Sequence, residues 1–349
     1  MTVPKQTAIP SLVRVKPGAL DRLGIYAGRH EFLRVALFFS QDLDQRLIAR
    51  LTDSLRAGKI AILEETAVDS IDLKNVADLF RKCPRNVDAI IGLGGGKALD
   101  VGKYVAFLWR LPYFSIPTSL SNDGFCSPQS SLTIEGRRYS LPAVIPFAVI
   151  LDTAVCLNAP AILWHSGVGD LVSKFTAVAD WKMAFHQSGT PVDDFAALLS
   201  DASVYQFMAR PKRDLEGMRL LGTALLLNGI SMSICGTSRP ASGSEHLISH
   251  AVDGLSKRPR LHGLQVGVAT YLVSLLQGNQ SGPIAELFEV TGFWQVIAND
   301  PFDREEWLEA CRIATTIKPD YYTVLSSRDC LPEIERALDS DSNLKPCFA

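Results

Sequence analysis

The chain has 349 residues, 47% hydrophobic and 21% charged, a length and balance that suit two folded domains and exclude dominant disorder. Its 35 Lys and Arg nearly cancel its 37 Asp and Glu, so no global basic field calls for nucleic acid, and any anionic ligand must be held by a local site. Seven cysteines without a C-x-x-C pair argue against a disulfide framework or a thiolate zinc cluster and fit a reducing cytoplasm. The opening MTVPKQTAIPSLVRV has no apolar h-region, so no signal peptide is expected. The longest apolar runs, such as LLGTALLL at Leu220–Leu227, read as too short to span a bilayer.

In chain order, Arg34–Phe39 reads as a strand, Asp42 to about Arg56 as a helix, Ile60–Leu63 as a strand and Leu73–Lys82 as a helix. Val87–Ile91 is a continuous apolar run, as in a strand covered on both faces, and it leads through a glycine turn into another helix. Tyr113–Ile116 is the next strand. This alternation predicts a mostly parallel sheet with helices on both faces. Ser131–Ser140 reads as a hairpin turning near Glu135-Gly136, and Phe147–Leu151 as a further strand. Beyond Asp152 helical periods take over: Pro160–Trp181, Asp193–Met208, Leu215–Cys235, Ser242–Leu255, His262–Leu276 and Glu305–Thr316. The expected organisation is an α/β nucleotide-binding domain in residues 1–155 and an all-helical domain in 156–349, with the cleft between them as the default ligand site.

Three features carry chemistry. Gly94-Gly95-Gly96-Lys97-Ala98 lies between a buried strand and a helix, where bare backbone and a helix N-terminus can receive a pyrophosphate. It is neither G-x-G-x-x-G nor a P-loop, which disfavours ATP hydrolysis. The second is PTSLSNDGFCSP at Pro117–Pro128, hydroxyl-rich with one carboxylate, and it follows a strand, where α/β folds place ligands. The third is split between Asp170 in GVGD, His246 and His250 one helical turn apart, and His262 at the start of the next helix. Each alone reads as a surface acid, a packed histidine or a helix-start histidine. Together they offer a carboxylate and imidazoles suited to a divalent metal with a position open for substrate. His250 is either a fourth ligand or a substrate donor.

The motifs GLGGGKALDVGK, PTSLSNDGFCSP, GVGDLVSKFTAVADW, SRPASGSEHLISHAVD, LHGLQVGV and KPDYYTVL occur in this order, and nearly the whole chain resembles the sn-glycerol-1-phosphate dehydrogenase family. That family is a branch of the iron-containing alcohol dehydrogenase and dehydroquinate synthase superfamily. The resemblance implies a dehydroquinate synthase-like fold, with a Rossmann-like N-terminal domain and a helical metal- and substrate-binding domain. It implies NAD(P)H-dependent interconversion of dihydroxyacetone phosphate and sn-glycerol 1-phosphate, a step that supplies phospholipid metabolism. Under it, Gly94, Gly95, Gly96, Lys97, Ala98, Thr118, Ser119, Leu120, Ser121 and Ser127 take the cofactor. Asp170, His246 and His262 hold one divalent ion, with Zn²⁺ expected and Ni²⁺ or Fe²⁺ as alternatives. Asp123 and His250 serve catalysis, and with Asp170 they contact substrate. Asp at the first ligand position, where dehydroquinate synthases use Glu, favours the dehydrogenase branch. A cytoplasmic homo-oligomer is expected, with a small phosphorylated substrate, no nucleic acid and no stable membrane insertion.

Two positions depart from the family pattern. Leu264 stands where the family has Glu, and Tyr321 where it has Arg. They leave room for a related metal-dependent dehydrogenase of another polyol or cyclitol. An alternative of a different class, a non-catalytic nucleotide-binding protein on the same fold, is opposed by the complete Asp170, His246 and His262 set. The end of the first expected strand reads Phe39-Ser40-Gln41-Asp42, without an acid at the place that would grip an adenosine ribose, so NAD and NADP both stay open. By motif position, Arg239, Lys174 and Lys103 are candidates for the substrate phosphate.

Overall fold

A computed structural model describes residues 7–349; Met1–Gln6, the start of the segment read for a signal peptide, lie outside the described residues. The chain divides into two compact units. The first gathers the residues up to Leu120 with Gly124–Ala159 and Asp214–Ser233, and the second gathers Ser121–Asp123, Pro160–Arg213 and Ile234–Ala349.

The first unit holds β1 (Leu12–Val15), α1 (Leu23–Gly28), β2 (Arg34–Ser40), α2 (Gln45–Ala57), β3 (Ala61–Val68), α3 (Leu73–Lys82), β4 (Ala89–Gly94), α4 (Gly96–Trp109), β5 (Tyr113–Pro117), the hairpin β6 (Gln129–Ile134) and β7 (Arg137–Pro142), β8 (Ala148–Leu151) and α5 (Thr153–Asn158). Six strands form a parallel sheet in the order β1-β8-β5-β4-β2-β3. β2 alternates its side chains between two apolar cores, with Val35 and Leu37 on one face and Ala36 and Phe38 on the other, as a two-residue strand period demands. From β2 the chain moves to β3 on one side, whereas from β4 it moves to β5 on the other. The carboxyl ends of β2 and β4 therefore form the topological switch point, where open α/β sheets receive ligands. The hairpin turns at Glu135 and Gly136, both with positive φ, as a two-residue primed turn requires.

The second unit contains α6 (Ala161–Val172), α7 (Lys174–Ser188) and α8 (Asp194–Met208). After α9 (Leu215–Cys235) it continues with α10 (Ser244–Leu255), α11 (His262–Gln277), α12 (Ser281–Thr291), α13 (Phe293–Ala298), α14 (Arg304–Ile317), α15 (Val324–Ser327) and α16 (Leu331–Ser340). The expected helix over 160–181 is two helices that break at Ser173, whose hydroxyl turns back onto Asp170 O. The apolar run at Leu220–Leu227 proves part of a longer helix: α9 has 21 residues and is apolar enough to span a membrane by length and composition. It is instead packed in the protein. Its polar Asn228 and Ser231 are buried, and glycines bring it against Leu151 and the Cys126 backbone. None of the seven cysteines is in a disulfide.

Candidate functional site

The glycine turn sits at the switch point of the first unit. Gly94 ends β4 with φ +134°, and a Cβ there would lie 2.2 Å from Ser40 Oγ. Glycine is thus required by the backbone at this position. Ser40, at the end of β2, accepts the Gly95 amide at 3.0 Å and ties the two strand ends together. Gly95 and Gly96 differ: a Cβ at either would meet no atom of the described residues within 4 Å, their own neighbours in the chain aside. Gly95 has φ −86° and is the N-cap of α4, with no side chain capping the helix. Neither packing nor conformation calls for glycine at these two positions. What remains is open space above the first-turn amides of a helix, a cradle that fits a dinucleotide pyrophosphate.

The other expected cofactor residues divide by what the structure gives them. Lys97 is exposed beside the cradle, while the Ala98 side chain is buried under α4. Thr118 donates its amide to Gly94 O at 3.1 Å, next to the turn. The Leu120 side chain is buried against Gly222, which leaves only its backbone for a ligand. Ser119 is half-buried in the same loop. Ser127 is buried, and its hydroxyl bonds Gln129 O at 3.1 Å within its own turn. Lys103 is fully buried and donates to Gly124 O at 2.6 Å and Gln129 O at 2.7 Å. It props this turn and is thereby removed from the candidates for substrate phosphate.

The second site is built where α6 and α11 cross. A Cβ on Gly169 would fall 2.0 Å from Gly263 O, and one on Gly263 would fall 1.8 Å from Ser166 O. The helices approach so closely because both residues are glycine, and each glycine is the immediate neighbour of a site residue, Asp170 or His262. Asp170 Oδ1 lies 3.7 Å from His246 Nε2 and 3.7 Å from His262 Nε2. Ligand atoms of Asp170, His246 and His262 all fall within 4.8 Å of one another. These separations are long for hydrogen bonds but suit one O and two N donors around a single ion, so the donor set fits a divalent metal with an open position. The His250 ring centroid lies 5.7 Å from that of His262 and 6.3 Å from that of His246, beside the triad.

Asp123 belongs to the same cluster. Its amide donates to Asp170 Oδ2 at 3.1 Å, and its carboxylate lies 3.0 Å from Lys174 Nζ. Ser121 holds the approach to it, its carbonyl accepting from Ser166 Oγ at 2.9 Å. Lys174 is fully buried, 3.4 Å from Asp170 Oδ2 as well, so it is committed to two carboxylates rather than to a phosphate. Burial pushes the Asp170 carboxyl up, but the Lys174 ammonium and the two imidazoles outweigh it and hold it well below the usual carboxylate range. Burial dominates at Asp123, whose carboxyl is raised with the help of the Asp170 charge, although Lys174 opposes it. Burial disfavours the charged forms of Lys174 and His246, yet neighbouring carboxylates win and raise both.

Arg239 is buried, donates to Tyr322 O at 2.9 Å and stacks over the Tyr321 ring at 3.8 Å. Tyr321 answers with its hydroxyl 2.8 Å from Ser238 Oγ, so the departure from the family's Arg is built into the loop's own bonding. Leu264 is buried beside a cavity of about 350 Å³ that it lines with Ile162, Leu261 and Ile297. Sequence reasoning missed the close packing of Gly169 and Gly263 and the pairing of Lys174 with two carboxylates. The glycines were visible only as the partners of Asp170 and His262 in GVGD and LHG.

A model of the iron-containing alcohol dehydrogenase family matches residues 14–160. The glycerol-1-phosphate dehydrogenase [NAD(P)+] of Metallosphaera sedula is 33% identical over 328 residues, 92% of each chain. That of Pyrococcus furiosus is 37% identical over 268 residues, 76% of each chain. Among solved structures, glycerol dehydrogenase from Schizosaccharomyces pombe matches 98% of this chain and 92% of its own at a TM-score of 0.78 and 20% identity, which bears on the fold. An Asp-His-His triad at a glycine-lined helix crossing, a parallel sheet ending in an open glycine cradle, and kinship of this extent lead to one conclusion: the chain belongs to the glycerol-1-phosphate dehydrogenase family.

Proposed function

We propose that this protein is a metal-dependent NAD(P)H oxidoreductase that interconverts dihydroxyacetone phosphate and sn-glycerol 1-phosphate in the cytoplasm. The observation that carries the reading is the convergence of Asp170, His246 and His262 in a chain of this family. When bound, the nicotinamide supplies the hydride, and a divalent ion, Zn²⁺ on this mixed N/O set, supplies Lewis acidity toward the carbonyl oxygen. The chain's own residues do the rest. The open backbone of Gly94–Gly96 and the first-turn amides through Ala98 take the pyrophosphate, with Lys97, Thr118, Ser119, Leu120, Ser121 and Ser127 along the same cofactor path. Asp170, His246 and His262 hold the ion, and Lys174 keeps Asp170 ionised for that purpose. Asp123 orients the substrate hydroxyl, and His250, one turn beyond His246, holds the proton that the product hydroxyl takes up. In this reading residues 1–155 serve the nucleotide and residues 156–349 serve metal and substrate.

The test is oxidation of NADH and of NADPH with dihydroxyacetone phosphate by chelated protein, before and after Zn²⁺ is restored. Turnover should depend on the metal, and His246→Ala should lose both metal and activity while remaining folded. Stoichiometric metal in His246→Ala, measured by elemental analysis, would remove the ligand assignment.

A further inference from the structure

Glu245 has no exposed surface, and a carboxylate in that position is tolerated only when its oxygens are engaged. One oxygen accepts the Gly243 amide at 2.6 Å, at the start of α10, and also faces His246 Nδ1 at 2.9 Å. The other accepts from Thr176 Oγ1 at 2.9 Å, which fixes the carboxylate from α7. Capping α10 would use only the first of these contacts, and an exposed acid would do it as well. Because an ionised carboxylate can only accept, Nδ1 of His246 must carry the proton, and Nε2 is the atom turned toward Asp170.

His262 is arranged in the same way with weaker material. Its Nδ1 lies 3.3 Å from Ser249 Oγ. Ser249 is held in turn by Gln265, whose amide reaches its hydroxyl at 3.1 Å and Asp253 Oδ1 at 2.9 Å. Both imidazoles are thus backed at Nδ1 and present Nε2 to the same carboxylate oxygen. One is backed by a buried anion, the other by a neutral hydroxyl.

Resting on the reading of Asp170, His246 and His262 as ligands of a divalent ion, we propose that Glu245 is a positioning residue for that ion. It sets the orientation of His246 and increases its basicity as a ligand, and Ser249 is its weaker counterpart behind His262. Backing of this kind fixes the ring and strengthens the donor, and its loss typically weakens metal binding about 10–100-fold.

The probe is Zn²⁺ alone, titrated into chelated protein against a chromophoric chelator, with the visible spectrum of the Co²⁺-loaded protein as a second readout. Glu245→Gln should weaken Zn²⁺ binding by about 10–100-fold and shift the Co²⁺ bands, with the circular dichroism of the metal-free protein unchanged. Ser249→Ala should weaken binding less, by under about 10-fold. Equal Zn²⁺ affinity in folded Glu245→Gln and the parent, or a larger loss from Ser249→Ala, overturns the proposal. A parent protein that takes up no stoichiometric Zn²⁺ overturns instead the metal reading beneath it. If Glu245→Gln does not fold, Thr176→Val decides: it frees the second oxygen without removing the charge. A few-fold loss of affinity with a shifted Co²⁺ spectrum then supports the role, and an unchanged affinity and spectrum overturn it.

Discussion

Glycine does opposite work in the two units. At Gly95 and Gly96 the missing side chain leaves empty space, and no described residue fills it. At Gly169 and Gly263 it leaves no space, because backbone atoms of the neighbouring helix lie where a Cβ would be. The first is bare backbone with open space above it. The second is made of side chains brought together because two backbones touch. A glycine at an open turn and a glycine at a tight helix crossing look alike in sequence, and only the space around each tells them apart.

The contrast predicts unequal responses to the same small change. Gly263→Ala must push α11 off α6, at a cost of about 1–3 kcal/mol or more, and carry His262 away from Asp170. The variant should lose stoichiometric metal and melt earlier, as read by elemental analysis and thermal unfolding. Full metal content with an unchanged melting profile would mean that the close crossing is not what assembles the triad. Gly95→Val should do the reverse, since a Cβ there meets only open space and its φ of −86° suits any residue. Stability and metal content should hold, while KM for the nicotinamide cofactor rises by about 10-fold or more, the scale of a lost 1.4 kcal/mol. An unchanged KM in folded protein would make the turn purely structural.

Much of this was legible in the sequence, and unevenly so. The apolar run through β4 and the glycines after it announced a covered strand and a turn, because a doubly buried strand needs an unbroken apolar stretch. β1 was missed: Leu12–Val15 is four residues with Arg14 among them, too short and too polar to signal a strand, and its pairing with β8 is a long-range event. The helices α1, α5, α13 and α15 were missed in the same way, none being longer than 6 residues, and α12 and α16 were missed although they are as long as α3. The i, i+4 spacing of His246 and His250 showed a shared face of α10, but no spacing relates Asp170 to His262. That contact is made by Gly169 against Gly263, across a long stretch of sequence. Lys174 and Arg239 carry charge that sequence reasoning offers to a phosphate, whereas burial had already committed Lys174 to carboxylates and Arg239 to loop carbonyls.

A smaller effect sharpens the contrast from the side of the second unit, where buried charge is held by neighbours. Asp180 accepts from the amides of Ser244 and Val324 and from Gln277, and burial together with the Glu245 charge pushes its carboxyl up to about 6. A carboxyl raised in the folded state contributes stability that is fully present below its unfolded pKa of about 4 and is lost as pH rises through about 6. Asp180→Asn cannot ionise and lacks this loss. Between pH 4 and 6.5 the metal-free parent should therefore lose stability relative to Asp180→Asn, by roughly 1–3 kcal/mol in urea unfolding. A gap that stays constant with pH would show that folding does not raise the Asp180 carboxyl.

The most direct test of the proposed activity is the handedness of the product. Metal-loaded protein, dihydroxyacetone phosphate and NADH or NADPH should yield glycerol phosphate that chiral analysis identifies as the sn-1 isomer, and His250→Ala should form it more slowly while retaining its metal. Formation of sn-glycerol 3-phosphate, or no reduction of this ketone alongside ready turnover of an unphosphorylated cyclitol, would contradict the proposed reaction.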